Sequence, residues 1–338
     1  MTDTATELAS QVRTGDRRAL AQAITLVESM RADHRAGAAE LIDAVLPFAG
    51  RSIRIGISGA PGVGKSTFIE ALGLHVISLG HKLAVLTVDP SSATSGGSIL
   101  GDKTRMGELA RSHHAYVRPS PGGEHQGGVA RRTREAIMLC EAAGFDVVIV
   151  ETIGVGQNEI EVADMVDLFV LMVNPGSGDD LQGIKRGISE LADLVVVNKA
   201  DGDLAPAAGR TRSDYSDAVK LLHPRWRAWV PIAVSCSSLE RTGIAEVWDI
   251  IEQFSAAVRG SGELQSRRRA QSLAWMWSEI REELLSDFRS NVAVRGDLGE
   301  VERAVADGRL APIDAARRLL DLFERGEQRG LTQSPPVT

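Results

Sequence analysis

The residues most able to do chemistry are Gly59-Ala60-Pro61-Gly62-Val63-Gly64-Lys65-Ser66-Thr67, which follow the apolar run Ile53–Ser58 and open an amphipathic stretch. Glycine tolerates backbone angles that other residues resist, successive N–H groups then point into the turn, and a helix start adds partial positive charge. This spacing predicts a strand, a polyphosphate-cradling loop and a helix, with Lys65 reaching the β and γ phosphates and Ser66 ligating Mg²⁺.

Further on, the apolar run Leu194–Val197 leads into Asn198-Lys199-Ala200-Asp201. A carboxylate at Asp201 can accept from the guanine ring N–H and its amino group, whereas adenine offers no such donor pair and would leave the charge desolvated and unpaired. GTP is therefore expected to be preferred over ATP. The loop Val234-Ser235-Cys236-Ser237-Ser238, after another apolar run, resembles the backbone loop that contacts the guanine carbonyl, with Ser235, Cys236 and Ser237 as its candidate nucleotide contacts.

Two more apolar runs end in acids, Leu83–Val88 before Asp89 and Val147–Val150 before Glu151. Open α/β sheets place their ligand crevice at such strand ends. Mg²⁺ keeps several waters, so Ser66 with Asp89 and Glu151 acting through water would suffice, although a strand-end acid can equally cap a helix. Glu151-x-x-Gly154 is followed by Val155, where GTPase switches commonly carry a water-orienting Gln. Hydrolysis is expected to be slow unless a partner or another group, with Asp102, Arg105 and Gln157 as candidates, completes the site.

The elements that must hold these residues read as α/β. Residues 1–49 carry helical stripes at Leu20, Ile24, Val27 and at Leu41, Ile42, Val45, Leu46, and form an N-terminal helical extension. Residues 50–260 alternate β-branched runs, including Leu168–Val173 and Trp229–Val234, with helical stretches, as in a mostly parallel sheet covered on both faces. Residues 261–330 form a C-terminal helical arm whose stripe, Leu273, Met276, Trp277, Ile280, Leu284 and Phe288, suits a core or a subunit interface, and 331–338 a disordered tail. The chain has 338 residues, 43% hydrophobic, with net charge -7, which argues against a broad nucleic-acid or anionic-membrane surface. The basic runs at 131–134 and 267–269 read as solvated helix faces. Two isolated cysteines, a polar acidic N-terminus and no long apolar run suit a reducing, cytoplasmic setting.

Taken in order, the P-loop, Val88-Asp89-Pro90-Ser91-Ser92, Gly101-Asp102-Lys103-Thr104-Arg105-Met106, Glu151-Thr-Ile-Gly-Val-Gly-Gln157 and Asn198-Lys199-Ala200-Asp201 resemble the MeaB/ArgK family of GTPases. The resemblance runs from about Ala49 to Ile251, and the helical extensions agree in placement. It implies a P-loop GTPase domain, GTP and GDP as ligands, Mg²⁺, a homodimer joined through the C-terminal arm, and a role as chaperone of adenosylcobalamin-dependent methylmalonyl-CoA mutase. By position it implies Lys65, Asp102, Arg105 and Glu151 as catalytic residues, with Ser66, Asp89, Asp102 and Glu151 around the metal. Gln157, Gln182 and Lys185 would lie in loops that respond to nucleotide, although the Gly- and Asp-rich segment from Asn174 equally fits a passive surface loop. An alternative is a P-loop kinase of the ArgK type linked to amino-acid transport, for which no acceptor-activating base is evident. A nickel-delivery GTPase would need more than the sparse His113, His114 and His125.

Overall fold

The computed structural model describes residues 2–29, 31–88, 106–118, 129–152, 159–176, 191–220 and 224–331. Three N-terminal helices, α1 (Thr2–Arg13), α2 (Arg17–Val27) and α3 (Ala32–Val45), precede the sheet. Asp16 begins α2 by accepting from the Ala19 amide at 2.7 Å, and Gly15 supplies the positive φ between α1 and α2. The seven described strands are β1 (Ile53–Gly59), β2 (Leu83–Val88), β3 (Ala115–Arg118), β4 (Val147–Thr152), β5 (Leu168–Val173), β6 (Leu194–Val197) and β7 (Ile232–Ser235). They lie in the order β3-β2-β4-β1-β5-β6-β7, and every pairing is parallel.

Helices cover both faces, which is why the central strands read as unbroken apolar runs. On one face α4 (Lys65–Ser78) and α9 (Ile244–Gly260) bury Phe68, Leu72, Val247, Trp248 and Phe254 in one cluster with Ile55, Ile57, Ile149 and Val170 of the sheet. The short α5 (Gly107–Arg111) closes one edge of this layer, with Glu70 accepting from the Glu108 and Leu109 amides at 2.8 and 3.2 Å. The other face is covered by α6 (Val129–Ala142) and α7 (Glu159–Ala163), and α2 and α3 pack on α6, so the N-terminal helices extend that layer. The helix α8 (Ala205–Val219) packs on β6 and β7.

β1, the central strand, carries a buried guanidinium, that of Arg54. Its Nε and Nη2 donate to Glu141 at 2.9 Å each, while Ser52 Oγ and the Gly50 amide also donate to that carboxylate at 2.6 and 2.7 Å. Asp167 accepts from the Arg54 amide at 2.9 Å and takes the fork of Arg268 at 2.9 and 2.6 Å. The run 267–269 is therefore only in part a solvated face: Arg269 is exposed, but Arg268 is half-buried in an ion pair, and Arg267 stands over the Trp226 ring at 5.0 Å. Residues 131–134 are likewise half-buried or buried rather than solvated.

The strand expected over Trp229–Val234 begins only at Ile232. Pro231 has no N–H for the ladder, and Trp229 turns into the core, its Nε1 donating to Asp193 O at 2.9 Å. The chain divides into two compact units, 1–271 and 272–338. In the second, α11 (Val292–Ala306) and α12 (Pro312–Leu331) bury Val294, Val301, Ala315 and Leu319 together with Phe288 and Phe323. The long α10 (Glu263–Ser290) belongs to the first unit up to Gln271 and to the second beyond it. Among the described residues no helix is long and apolar enough to cross a membrane.

Burial alone pushes the Glu141 carboxyl up; the Arg54 hydrogen bonds and charge, with Ser52 and Gly50, outweigh it and leave it below its ordinary value of 4.5. A depressed folded-state value means that the stabilisation is present above the ordinary value and is lost as the pH falls through the lower folded value. Glu141→Gln should cost about 3 kcal/mol at pH 7 by stranding Arg54. Chemical denaturation should show the gap to wild type narrowing below pH 4.5, the ordinary value of this carboxyl; a gap independent of pH would contradict the assignment.

Candidate functional site

The loop that closes on the site starts where β1 ends. At Gly59 an added Cβ would stand 2.5 Å from Met172 O on β5, so only glycine lets the two strands stay this close. Gly64, with φ of +95°, turns the chain into α4, and a Cβ there would meet Asn198 Nδ2 at 2.6 Å. The first-turn amides of α4, which include those of Lys65, Ser66 and Thr67, have no carbonyl one turn back within the helix and so face the loop's concavity.

Lys65 is buried, and its ammonium donates to Gly59 O at 2.6 Å and Ala60 O at 3.3 Å, within its own loop. Burial depresses its pKa, with the charges of Glu151 and Glu159 opposing that shift. Ser66 Oγ donates to Glu151 Oε1 at 3.1 Å, and Glu151 is buried at the carboxyl end of β4, in register beside Ile57 of β1 and Thr87 of β2. The expected phosphate lysine, hydroxyl and acid are thus brought together. Glu159, at the start of α7, joins them without a signal in the sequence, because nothing in its local pattern marks it as near the loop.

A second cluster forms where β6 and β7 end. Asn198 Nδ2 donates to Val63 O at 2.9 Å, and its Oδ1 accepts from Ser238 N at 3.1 Å and Ser238 Oγ at 2.7 Å. One side chain therefore ties the phosphate loop to the loop after β7. Lys199, in the left-handed region at φ of +59°, donates to Gly62 O at 2.6 Å. Ala200 N donates to Cys236 O at 3.0 Å, and Ser237 Oγ donates to Asp201 Oδ2. Ser235, Cys236 and Ser237 lie beside Asn198 and Asp201 as expected. Ser238, the last residue of the loop Val234–Ser238, is not among the candidate nucleotide contacts, and its bonds to Asn198 carry no signal in the sequence. Burial pushes the Cys236 thiol up to about 12, so it serves as a small packed side chain.

Asp89, Asp102, Arg105, Gln157, Gln182 and Lys185 lie outside the described residues.

The seven-stranded parallel sheet with a glycine-rich turn into α4, and a carboxylate-bearing base loop at the neighbouring strand ends, define a P-loop nucleotide-binding protein of the GTPase type. The family model for methylmalonyl-CoA mutase-associated GTPase MeaB matches residues 20–293. A probable GTPase of Mycobacterium tuberculosis is 52% identical over 320 residues, covering 95% of each chain. The GTPase ArgK of Escherichia coli is 46% identical, over 95% of this chain and 97% of that one, and the mitochondrial methylmalonic aciduria type A homolog of Mus musculus is 48% identical, over 92% and 77%. Among solved structures, a LAO/AO transport system kinase superposes with a TM-score of 0.76 at 40% identity, covering 95% of this chain and 98% of that one. The chain belongs to the MeaB family and is a GTPase.

Lys65→Ala should weaken GTP binding by about 100-fold, the worth of charge-assisted hydrogen bonds to phosphate, and leave the fold intact. Phosphates that restore the Lys65 charge take up a proton, so wild-type affinity should fall as the pH rises through the depressed pKa. Calorimetric titration across alkaline pH checks both; a variant that binds GTP like wild type overturns the assignment.

Proposed function

We propose that this GTPase is a Mg²⁺-dependent chaperone of adenosylcobalamin-dependent methylmalonyl-CoA mutase, gating cofactor loading and protecting or reactivating the mutase. The observation that carries the nucleotide half is the Asn198 bridge, which holds the phosphate loop against the loop whose Ser237 orients Asp201. The partner half is supported by the family's description and by the name of the mouse relative.

The donor set fits Mg²⁺: Ser66 Oγ and Glu151 Oε1 are hard oxygens 3.1 Å apart beside the phosphate cradle. Ser66 would ligate the metal directly and Glu151 through water, and the metal would neutralise charge on the β and γ phosphates. Asp89 and Asp102 join this set on the strength of the resemblance, as do Arg105 as a catalytic group and Gln157, Gln182 and Lys185 as nucleotide-responsive residues. Lys65 would hold the phosphates, leaving its carbonyl partners for them. A cytoplasmic location fits the same reading.

In the arm, Leu273, Trp277 and Leu284 are 59%, 57% and 59% exposed, so this part of the stripe, unlike Phe288, is not buried within the chain. We assign it to the homodimer interface. Trp277→Glu should give monomers in light scattering, and a variant that remains dimeric would place the interface elsewhere.

The central test is phosphate release from GTP and from ATP, with and without the mutase. GTP turnover should exceed ATP turnover by about 100-fold or more, and the mutase should accelerate it. Comparable ATP turnover would overturn the base assignment, indifference to the mutase would overturn the partner, and transfer of labelled phosphate to an acceptor would make the protein a kinase.

A further inference from the structure

At the end of the sheet where β1 and β4 begin, opposite the phosphate loop, a cavity of about 460 Å³ opens between α1, the segment before β1 and the C-terminal end of α6. Its volume falls in the range of small-molecule sites, about 300–1,000 Å³. Arg13, Phe48, Arg51, Glu141, Phe145 and Asp146 are among its lining residues. The Arg13 guanidinium lies over the Phe48 ring at 3.5 Å from the centroid, which fixes its plane while leaving its edge donors unused by the ring. Neither Arg13 nor Arg51 has a hydrogen-bonding or ion-pair partner among the described residues.

The two acids of the lining have their oxygens occupied. Glu141 accepts from Arg54, Ser52 and the Gly50 amide, and Asp146 accepts from the Lys82 amide and faces His81 Nδ1, both at 2.7 Å. Arg54 balances Glu141, while Asp146 adds one negative charge and the C-terminal end of α6 about half of one, so the two arginines leave the lining net positive. The uncommitted polar groups are therefore the two cationic forks, beside an apolar wall made of Phe48, which carries Arg13 on one face, and Phe145, which is 8% exposed and packs against Tyr116.

We propose that this cavity binds a small organic anion, its carboxylate or phosphate head held by Arg13 and Arg51 and its flat apolar body placed against Phe48 and Phe145. The site lies at the opposite end of β1 from the nucleotide, about 20 Å away at the usual rise of a strand, so its occupant does not compete with GTP.

The test uses the full chain saturated with GDP and Mg²⁺, so that phosphate cannot report binding at the P-loop. Benzoate, phenyl phosphate and neutral benzamide are titrated by calorimetry into wild type and into Arg13→Gln and Arg51→Gln. Saturable binding of benzoate or phenyl phosphate is expected, with benzamide at least about tenfold weaker and each substitution costing about tenfold or more, as for a lost charge-assisted contact. Whichever anion binds more tightly assigns the head group. Arg13→Lys, which keeps the charge and loses the fork, should fall between, and GTP turnover should be unchanged in all three variants. Absence of saturable binding, benzamide binding as tightly as benzoate, or binding that survives both Gln substitutions would overturn the proposal.

Discussion

A guanidinium inside the central strand of a sheet buried on both faces has to be neutralised where it lies, and the arrangement around Arg54 follows from that. Glu141 reaches it from α6, Asp167 holds its amide from the approach to β5, and Arg268 and Arg259 bind the Ser52 carbonyl next to it. A buried ion pair is weak evidence for net stability, because desolvation offsets most of the attraction. It does specify position, since a slip of β1 by one residue would bury Arg54 without its partner. β1 is seven residues long, so fixing its start fixes its end at Gly59, where the approach to Met172 leaves no room for a side chain.

The nucleotide site inherits that placement and adds one constraint of its own. Val63 in the P-loop and Asn198 in the base loop are 135 residues apart in the chain, yet Asn198 joins the two loops directly through Val63 O and Ser238. An amide suits the task because it donates and accepts at once. Aspartate at the same position would lose the donor to Val63, and the two halves of the site would no longer be held by a single rigid group.

The parallel sheet was legible because strands covered on both faces must be apolar on successive residues, and the two nucleotide motifs were legible because glycine, lysine and carboxylate spacing there is set by the ligand's chemistry. Contacts between distant segments were not. Arg268 looks like any residue in a basic run until the fold brings Asp167 to it, and nothing in the loop ending at Ser238 announces that its hydroxyl and amide meet Asn198. The shift of β7 past Pro231 shows a local rule, the missing N–H, overriding hydrophobicity. Periodicity on α10 marked an apolar stripe but cannot distinguish burial within a chain from burial between chains; the exposure of Leu273, Trp277 and Leu284 shows only that these three are not buried within the chain.

Lys65 is held within its own loop by contacts weaker than those a phosphate would offer. Burial disfavours the ammonium and the charges of Glu151 and Glu159 oppose that shift, while its direct hydrogen-bond partners, the Gly59 and Ala60 carbonyls, carry only partial charges. Phosphate oxygens carry full charges, so exchanging carbonyl for phosphate strengthens every contact the ammonium makes, while the carbonyls are released to the surrounding loop. The same exchange would free Ser66 Oγ from Glu151 to face a metal. On the proposed reading, these weaker internal contacts would give way to stronger ones with phosphate and metal.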